Sequence, residues 1–124
     1  MVKEDIQTLD DIKLLVDQFY GKIRENDLLG PIFDSVIKDK WPEHLDKMYR
    51  FWESILLANN TYNGRPFPPH AQLPVQLKHF DQWKALWFET LDELYQGEVA
   101  DMAKWRATKI AEVFHAKITY FQNQ

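Results

Sequence analysis

His70 lies in the segment PFPPHAQLP, bracketed by Pro66, Pro68, Pro69 and Pro74, in a chain that contains no cysteine. A neutral imidazole is the commonest nitrogen ligand for a metal, and prolines fix φ and remove backbone donors, so such a segment can hold one ligand in one conformation. A lone loop histidine is usually just a solvated side chain, and the chemistry depends on what accompanies it. Tyr20, His44 and Trp83 each interrupt an apolar stripe of helical spacing, and each carries a polar group at the end of a largely apolar body. Taken singly, Tyr20 and Trp83 read as core aromatics and His44 as a solvated residue near a helix start. Only their joint occurrence with His70 reverses those odds. His79, one helical turn before Trp83, competes with His70 for the ligand role, and periodicity alone does not choose between them.

The elements that must position these residues are helical. Thr8 with Asp11 resembles a capping-box start, and Ile12, Leu15, Val16, Phe19, Tyr20 and Ile23 follow at helical spacing, which predicts a helix over 9–25. Residues 26–34 read as a turn or short helix in which Gly30-Pro31 breaks the periodicity and Phe33 points inward. Pro42 suits the first position of a second helix carrying Leu45, Met48, Phe51, Trp52, Ile55 and Leu56, with His44 on the face of Met48 and Phe51. The stretch NNTYNGRPFPPHAQLP is an irregular connection, too long to be idle in a compact domain. From about Val75 the helical period resumes through Leu77, Phe80, Trp83, Leu86, Trp87, Leu91 and Leu94, and Gly97 stands where a left-handed C-terminal residue belongs. A last helix takes Val99, Met102, Ala103, Arg106, Ile110, Val113, Phe114 and Phe121 to the C-terminus. The expectation is four main helices in two pairs, with a structured loop between the second and third.

The chain's 124 residues make one domain, able to bury about two-thirds of the unfolded surface around one core. A hydrophobic share of 45% and a charged share of 27% suit a globular protein, and no apolar run approaches the roughly 18 residues of a bilayer span. The polar start, Met1 to Asp5, lacks the apolar stretch of a secretory signal, and a cytoplasmic protein is expected. The absence of cysteine excludes disulfides, thiolate metal sites, cysteine nucleophiles and thioether attachment of haem. A net charge of −4 with dispersed basic residues argues against nucleic acid or an anionic membrane as the main partner. Five Trp, five Tyr and eight Phe are a heavy aromatic load for so small a core, one that a flat aromatic cofactor would use.

The sequence resembles the truncated haemoglobins of the third group over nearly its whole length. The residues that carry the resemblance are the Phe19-Tyr20 pair, the LLGPIF turn with Phe33, WPEHLDKMYRFW with His44, YNGRPFPPHAQLP with His70, and HFDQWKALW with Trp83. The Gly-Gly pairs found at helix ends in the other two groups are missing, which fits the third. The resemblance implies an all-α, globin-like two-over-two helical sandwich over residues 1–124, with a reduced proximal helix and a non-covalent haem b. It implies His70 as the iron ligand, in preference to His79, and Tyr20, His44 and Trp83 as the groups on the ligand side. Phe33 would pack on the porphyrin, Met48 and Phe51 would line the distal wall, and Phe67, Leu73, Leu77 and Trp87 would complete the haem contacts. Lys47 and Arg65 are the candidates to pair with the propionates.

Haem iron with a single imidazole keeps a sixth position open, and the donors around it decide among reversible binding, activation and electron transfer. A bound oxygen ligand gains negative charge, so each well-aimed donor is worth about 1.5–3 kcal/mol. The expected ligands are O₂, NO and other small diatomics, with oxygen transport, NO dioxygenase and peroxidase-like chemistry as the open functions. No Rossmann fingerprint, phosphate loop, G-x-S-x-G or H-E-x-x-H is present, so turnover would draw electrons from a separate reductase. The alternative reading is a haem-free helical protein-interaction module whose aromatics only fill the core.

Overall fold

Thr8 opens the first helix, α1 (Leu9–Glu25). Its hydroxyl accepts the backbone N–H of Asp11 at 3.2 Å, and the Asp11 carboxylate accepts the Thr8 N–H at 3.1 Å, so both orphan donors at the helix start are satisfied reciprocally. In the computed structural model, which describes residues 3–58, 67, 70 and 73–123, all regular structure among the described residues is helical. After α1 come α2 (Gly30–Ile37), α3 (Trp41–Leu56), α4 (Leu77–Leu94) and α5 (Glu98–Gln122).

Where a break was expected at Gly30-Pro31, an eight-residue helix begins. Proline is favoured in the first turn of a helix, where its missing N–H would be unpaired anyway. Gly30 is required there for another reason: a Cβ would lie 2.7 Å from the Arg24 carbonyl oxygen, so α2 can turn back tightly on the end of α1 only through glycine.

Helix α1 packs against α2, α3 and α4, and α4 packs along α5, giving the two-over-two sandwich with α1 and α3 in one layer and α4 and α5 in the other. Ile12, Leu15, Val16, Phe19 and Ile23 of α1 are completely or almost completely buried. Trp52 of α3 stacks on Trp87 of α4 at 4.5 Å between ring centres, and Phe19 meets Trp87 edge-on at 4.9 Å. The Trp87 indole N–H donates to the Ala103 carbonyl at 3.1 Å.

The inner face of α5 differs from expectation. Ala100, Ala103, Ala107, Ala111 and Ile118 face the core, while Met102, Val113 and Phe121 are exposed. Small side chains let α4 and α5 approach closely enough for Trp87 to reach a backbone carbonyl of its neighbour. Gly97 also differs: α4 already ends at Leu94, and Gly97 precedes α5 with φ of +144° rather than closing α4 in a left-handed turn. A Cβ on Gly97 would sit 2.5 Å from the Asp5 side chain. The Asp5 carboxylate accepts the N–H groups of Val99 and Ala100, both at 2.9 Å, and so caps α5 from the other end of the chain. Partial burial raises its pKa, and the backbone hydrogen bonds from Val99, Ala100, Ile6 and Glu98 together bring it below the usual carboxylate value.

Among the described residues no helix is long and apolar enough to cross a membrane.

Candidate functional site

Tyr20, in the third turn of α1, is buried with its ring at the meeting point of three helices. It touches Phe33 of α2 at 6.0 Å, Trp41 of α3 at 5.8 Å and His44 of α3 at 5.2 Å between ring centres, each near edge-on. Phe19, its neighbour in sequence, lies 5.9 Å from Trp83 of α4 and so links Trp83 to the same group. Tyr20, His44 and Trp83, predicted together from the sequence, do assemble around the Phe19-Tyr20 pair.

One of these three tips is a buried orphan among the described residues. His44 Nε2 is a buried atom without a hydrogen-bond partner among the described residues. Tyr20 is buried beside it and Trp83 is half-buried on the α4 side. Leaving a buried polar group unmade costs about 1–3 kcal/mol, so a buried imidazole nitrogen without a partner is what a site built for a polar guest would show. Burial raises the Tyr20 pKa, which keeps the phenol protonated and a donor at every working pH. Burial, then the charge of His70, then that of Lys47, lower the His44 pKa to about 4, so its imidazole is neutral at pH 7.

His70 sits in a single tight turn between α3 and α4. Its N–H donates to the Phe67 carbonyl at 2.7 Å, and its carbonyl accepts the Leu73 N–H at 3.1 Å. The His70 ring rests on Phe114 of α5 at 5.0 Å, and Phe67 packs on Phe114 and Phe121 at 5.3 and 6.0 Å, with Lys117 over its outer face. His79, the competitor, is committed elsewhere: its Nδ1 accepts the Gln76 N–H at 2.9 Å and caps the start of α4. His115 pairs with Phe80 at 5.6 Å, beside the cleft between α4 and α5 that Leu77 also lines.

Phe33, Met48, Phe51 and Trp83 are half-buried on the rim of the core, and Phe67, His70 and Leu73 are half-buried on the side of α5. Lys47 is exposed, one turn from His44, with no ion pair among the described residues. Arg65 lies outside the described residues. Two expected contacts are placed differently. Trp87 is 0% exposed and wholly engaged with Trp52, Phe19 and Ala103, behind the cluster rather than on its face. Leu77 is 53% exposed and faces the outer cleft with Phe80 and His115. Trp41 was missed: it is buried and touches both Tyr20 and His44, which its spacing of three residues from His44 would have suggested.

Comparison with known proteins gives the family and the fold. Residues 4–117 match the family model described as bacterial-like globin. The chain is 36% identical over 109 residues to the group 3 truncated hemoglobin ctb of Campylobacter jejuni subsp. jejuni serotype O:2, covering 85% of this chain and 86% of the relative. The crystal structure of a group III truncated hemoglobin from Campylobacter jejuni superposes with a TM-score of 0.86 at 33% identity, covering 94% of this chain and 95% of that one. The chain belongs to the group III truncated haemoglobins. Membership of the globin family implies haem binding. The residues of this truncated haemoglobin fit the group: a flat apolar macrocycle would cover the half-buried aromatic and aliphatic rim, and a polar ligand bound with it would give the orphaned His44 Nε2 a partner.

Proposed function

We propose that this globin holds haem b without covalent attachment, with His70 as the axial ligand, and binds O₂ and other small diatomic ligands on the side of Tyr20, His44 and Trp83. The observation that carries the reading is His44 Nε2, buried without a hydrogen-bond partner among the described residues, beside the buried Tyr20. His70 is favoured over His79 because the His79 imidazole already serves as a helix cap. Phe33, Met48, Phe51, Phe67 and Leu73 are the apolar contacts, and Lys47 and Arg65 the cations for the propionates.

Haem would supply a ferrous iron with one free coordination site. The chain's own residues do the rest. The Tyr20 phenol, protonated because it is buried, donates to a ligand that gains negative charge, and the Trp83 indole donates from the α4 side. His44, neutral at pH 7, keeps one ring N–H and one free lone pair, so it can donate or accept. Several donors aimed at one oxygen favour slow ligand release and also stabilise charge that develops there, which extends the proposal to NO dioxygenase and peroxidase-like turnover with an external reductase.

Haemin titration of the purified chain should give one equivalent of haem with a Soret band. His70→Ala should abolish or shift the band, and His79→Ala should leave it in place; the reverse pattern would move the ligand to His79. A folded chain without affinity for haemin favours the interaction module instead. Ferrous O₂ and NO kinetics, measured beside peroxide reactivity, separate reversible carriage from turnover.

A further inference from the structure

Trp41, the first residue of α3, is buried and touches both Tyr20 and His44, at 5.8 and 5.7 Å between ring centres and edge-on to each, at 66° and 89°. Its own position is set from outside the pocket. The indole Nε1–H donates to the Asp34 carboxylate at 3.3 Å, and the Arg24 guanidinium lies over the ring at 4.5 Å. Arg24 Nε also approaches the same Asp34 oxygen at 3.8 Å. Arg24 is in the last turn of α1 and Asp34 in the middle of α2, so three helices converge on one indole.

An edge-to-face contact has a preferred geometry, because the positive edge of one ring seeks the negative face of another. With both neighbours edge-on to the indole, a rotation of Trp41 would turn or release both polar rings at once. His44 Nε2 has no hydrogen bond among the described residues to fix it, and edge-on ring contacts hold both Tyr20 and His44.

We propose that Trp41, anchored by Asp34 and Arg24, is a positioning residue that holds the Tyr20 hydroxyl and the His44 imidazole aimed at the ligand. The proposal rests on the haem reading above, and Asp34 gives access to it without entering the pocket, since Asp34 is exposed and touches only Trp41 and Arg24 among these groups. Asp34→Ala removes the anchor, whereas Asp34→Asn keeps an oxygen acceptor for the indole. Trp41→Leu removes the ring itself.

The infrared C–O stretch of the ferrous carbonyl complex reads the donor field on the ligand, and stopped-flow mixing reads O₂ release. In Asp34→Ala the C–O band should broaden or split and move toward that of Tyr20→Phe, and O₂ release should quicken by roughly 3- to 10-fold, a part of what losing a donor outright would give. Asp34→Asn should restore the single band. In a Tyr20→Phe/His44→Leu background, Asp34→Ala should change neither reading, which a general loosening of the fold would not reproduce. If Asp34→Ala matches the parent in both readings while Tyr20→Phe shifts them, Trp41 is only a wall and the proposal is overturned. If Tyr20→Phe itself shifts nothing, the distal assignment fails instead, and if no variant takes up haem, the haem reading fails.

Discussion

At the scale of single residues, a buried ring nitrogen without a partner among the described residues is what separates His44 from an ordinary core aromatic. A charge-assisted donor is worth about 1.5–3 kcal/mol, so Tyr20→Phe should speed O₂ release by roughly 10- to 150-fold, read by stopped-flow replacement with CO. An unchanged rate would mean that the phenol does not reach the ligand. His44 makes a pH prediction for the haem-free chain. Its pKa falls to about 4 in the fold from an ordinary value of 6.5, so between those values the unfolded chain binds more protons than the folded one. The stability contributed by a neutral His44 is therefore complete above pH 6.5 and lost as the pH falls toward 4. Denaturant midpoints of the apoprotein should drop over that window, and His44→Phe should flatten the drop. The choice between His70 and His79 was open in the sequence because either could carry a lone pair toward a metal. The resemblance favours His70, and the structure adds that the His79 imidazole accepts the Gln76 backbone N–H, a contact no spacing rule reveals.

At the scale of elements, the joints are as informative as the helices. Gly97 combines φ of +144° with a Cβ position that the Asp5 carboxylate already fills. Gly97→Ala should cost about 1–3 kcal/mol of stability, measured as a lower urea midpoint with an unchanged slope, because strain and clash act together and the Asp5 cap of α5 is displaced. A neutral outcome would show that the chain start can leave α5 freely. Helix α1 was legible from its capping box and apolar period, and its limits agree with those expected. Helix α2 was half-legible, since Gly30-Pro31 reads equally as a breaker or as a start until the close approach to Arg24 is known. On α5 the strongly apolar residues pointed to the wrong register. Alanine is too weakly hydrophobic to mark a stripe, yet a close helix pair selects for it. The Trp87 ring, read as a cofactor contact, serves that close pair through its bond to Ala103.

At the scale of the whole molecule, the fold encloses two kinds of interior. The side nearest Trp52, Trp87 and Leu91 is buried, with the two indoles stacked and the Trp87 N–H paired with the Ala103 carbonyl. The side bounded by Phe33, His44, Met48, Phe51 and Trp83 is only half-buried, and it holds the polar atom that has no partner. A core of this kind is finished by a guest, and a guest that binds only the native state adds RT ln(1 + [L]/Kd) to its stability, about 4 kcal/mol at a thousandfold excess over Kd. Haemin added to the apoprotein should therefore raise the guanidinium midpoint in step with its concentration. On the proposed reading the gain should fall sharply in His70→Ala, which would remove the iron ligand, and only slightly in Tyr20→Phe, whose hydroxyl would act on the bound ligand rather than on the macrocycle. Equal loss in the two variants would mean that haem is held by apolar burial alone, with no special place for the imidazole. The same experiment tests the division of the interior: Trp87 fluorescence, sheltered on the closed side, should report native packing in the apoprotein as well, while peptide cleavage near Phe33 and Met48 should slow only once haem is bound.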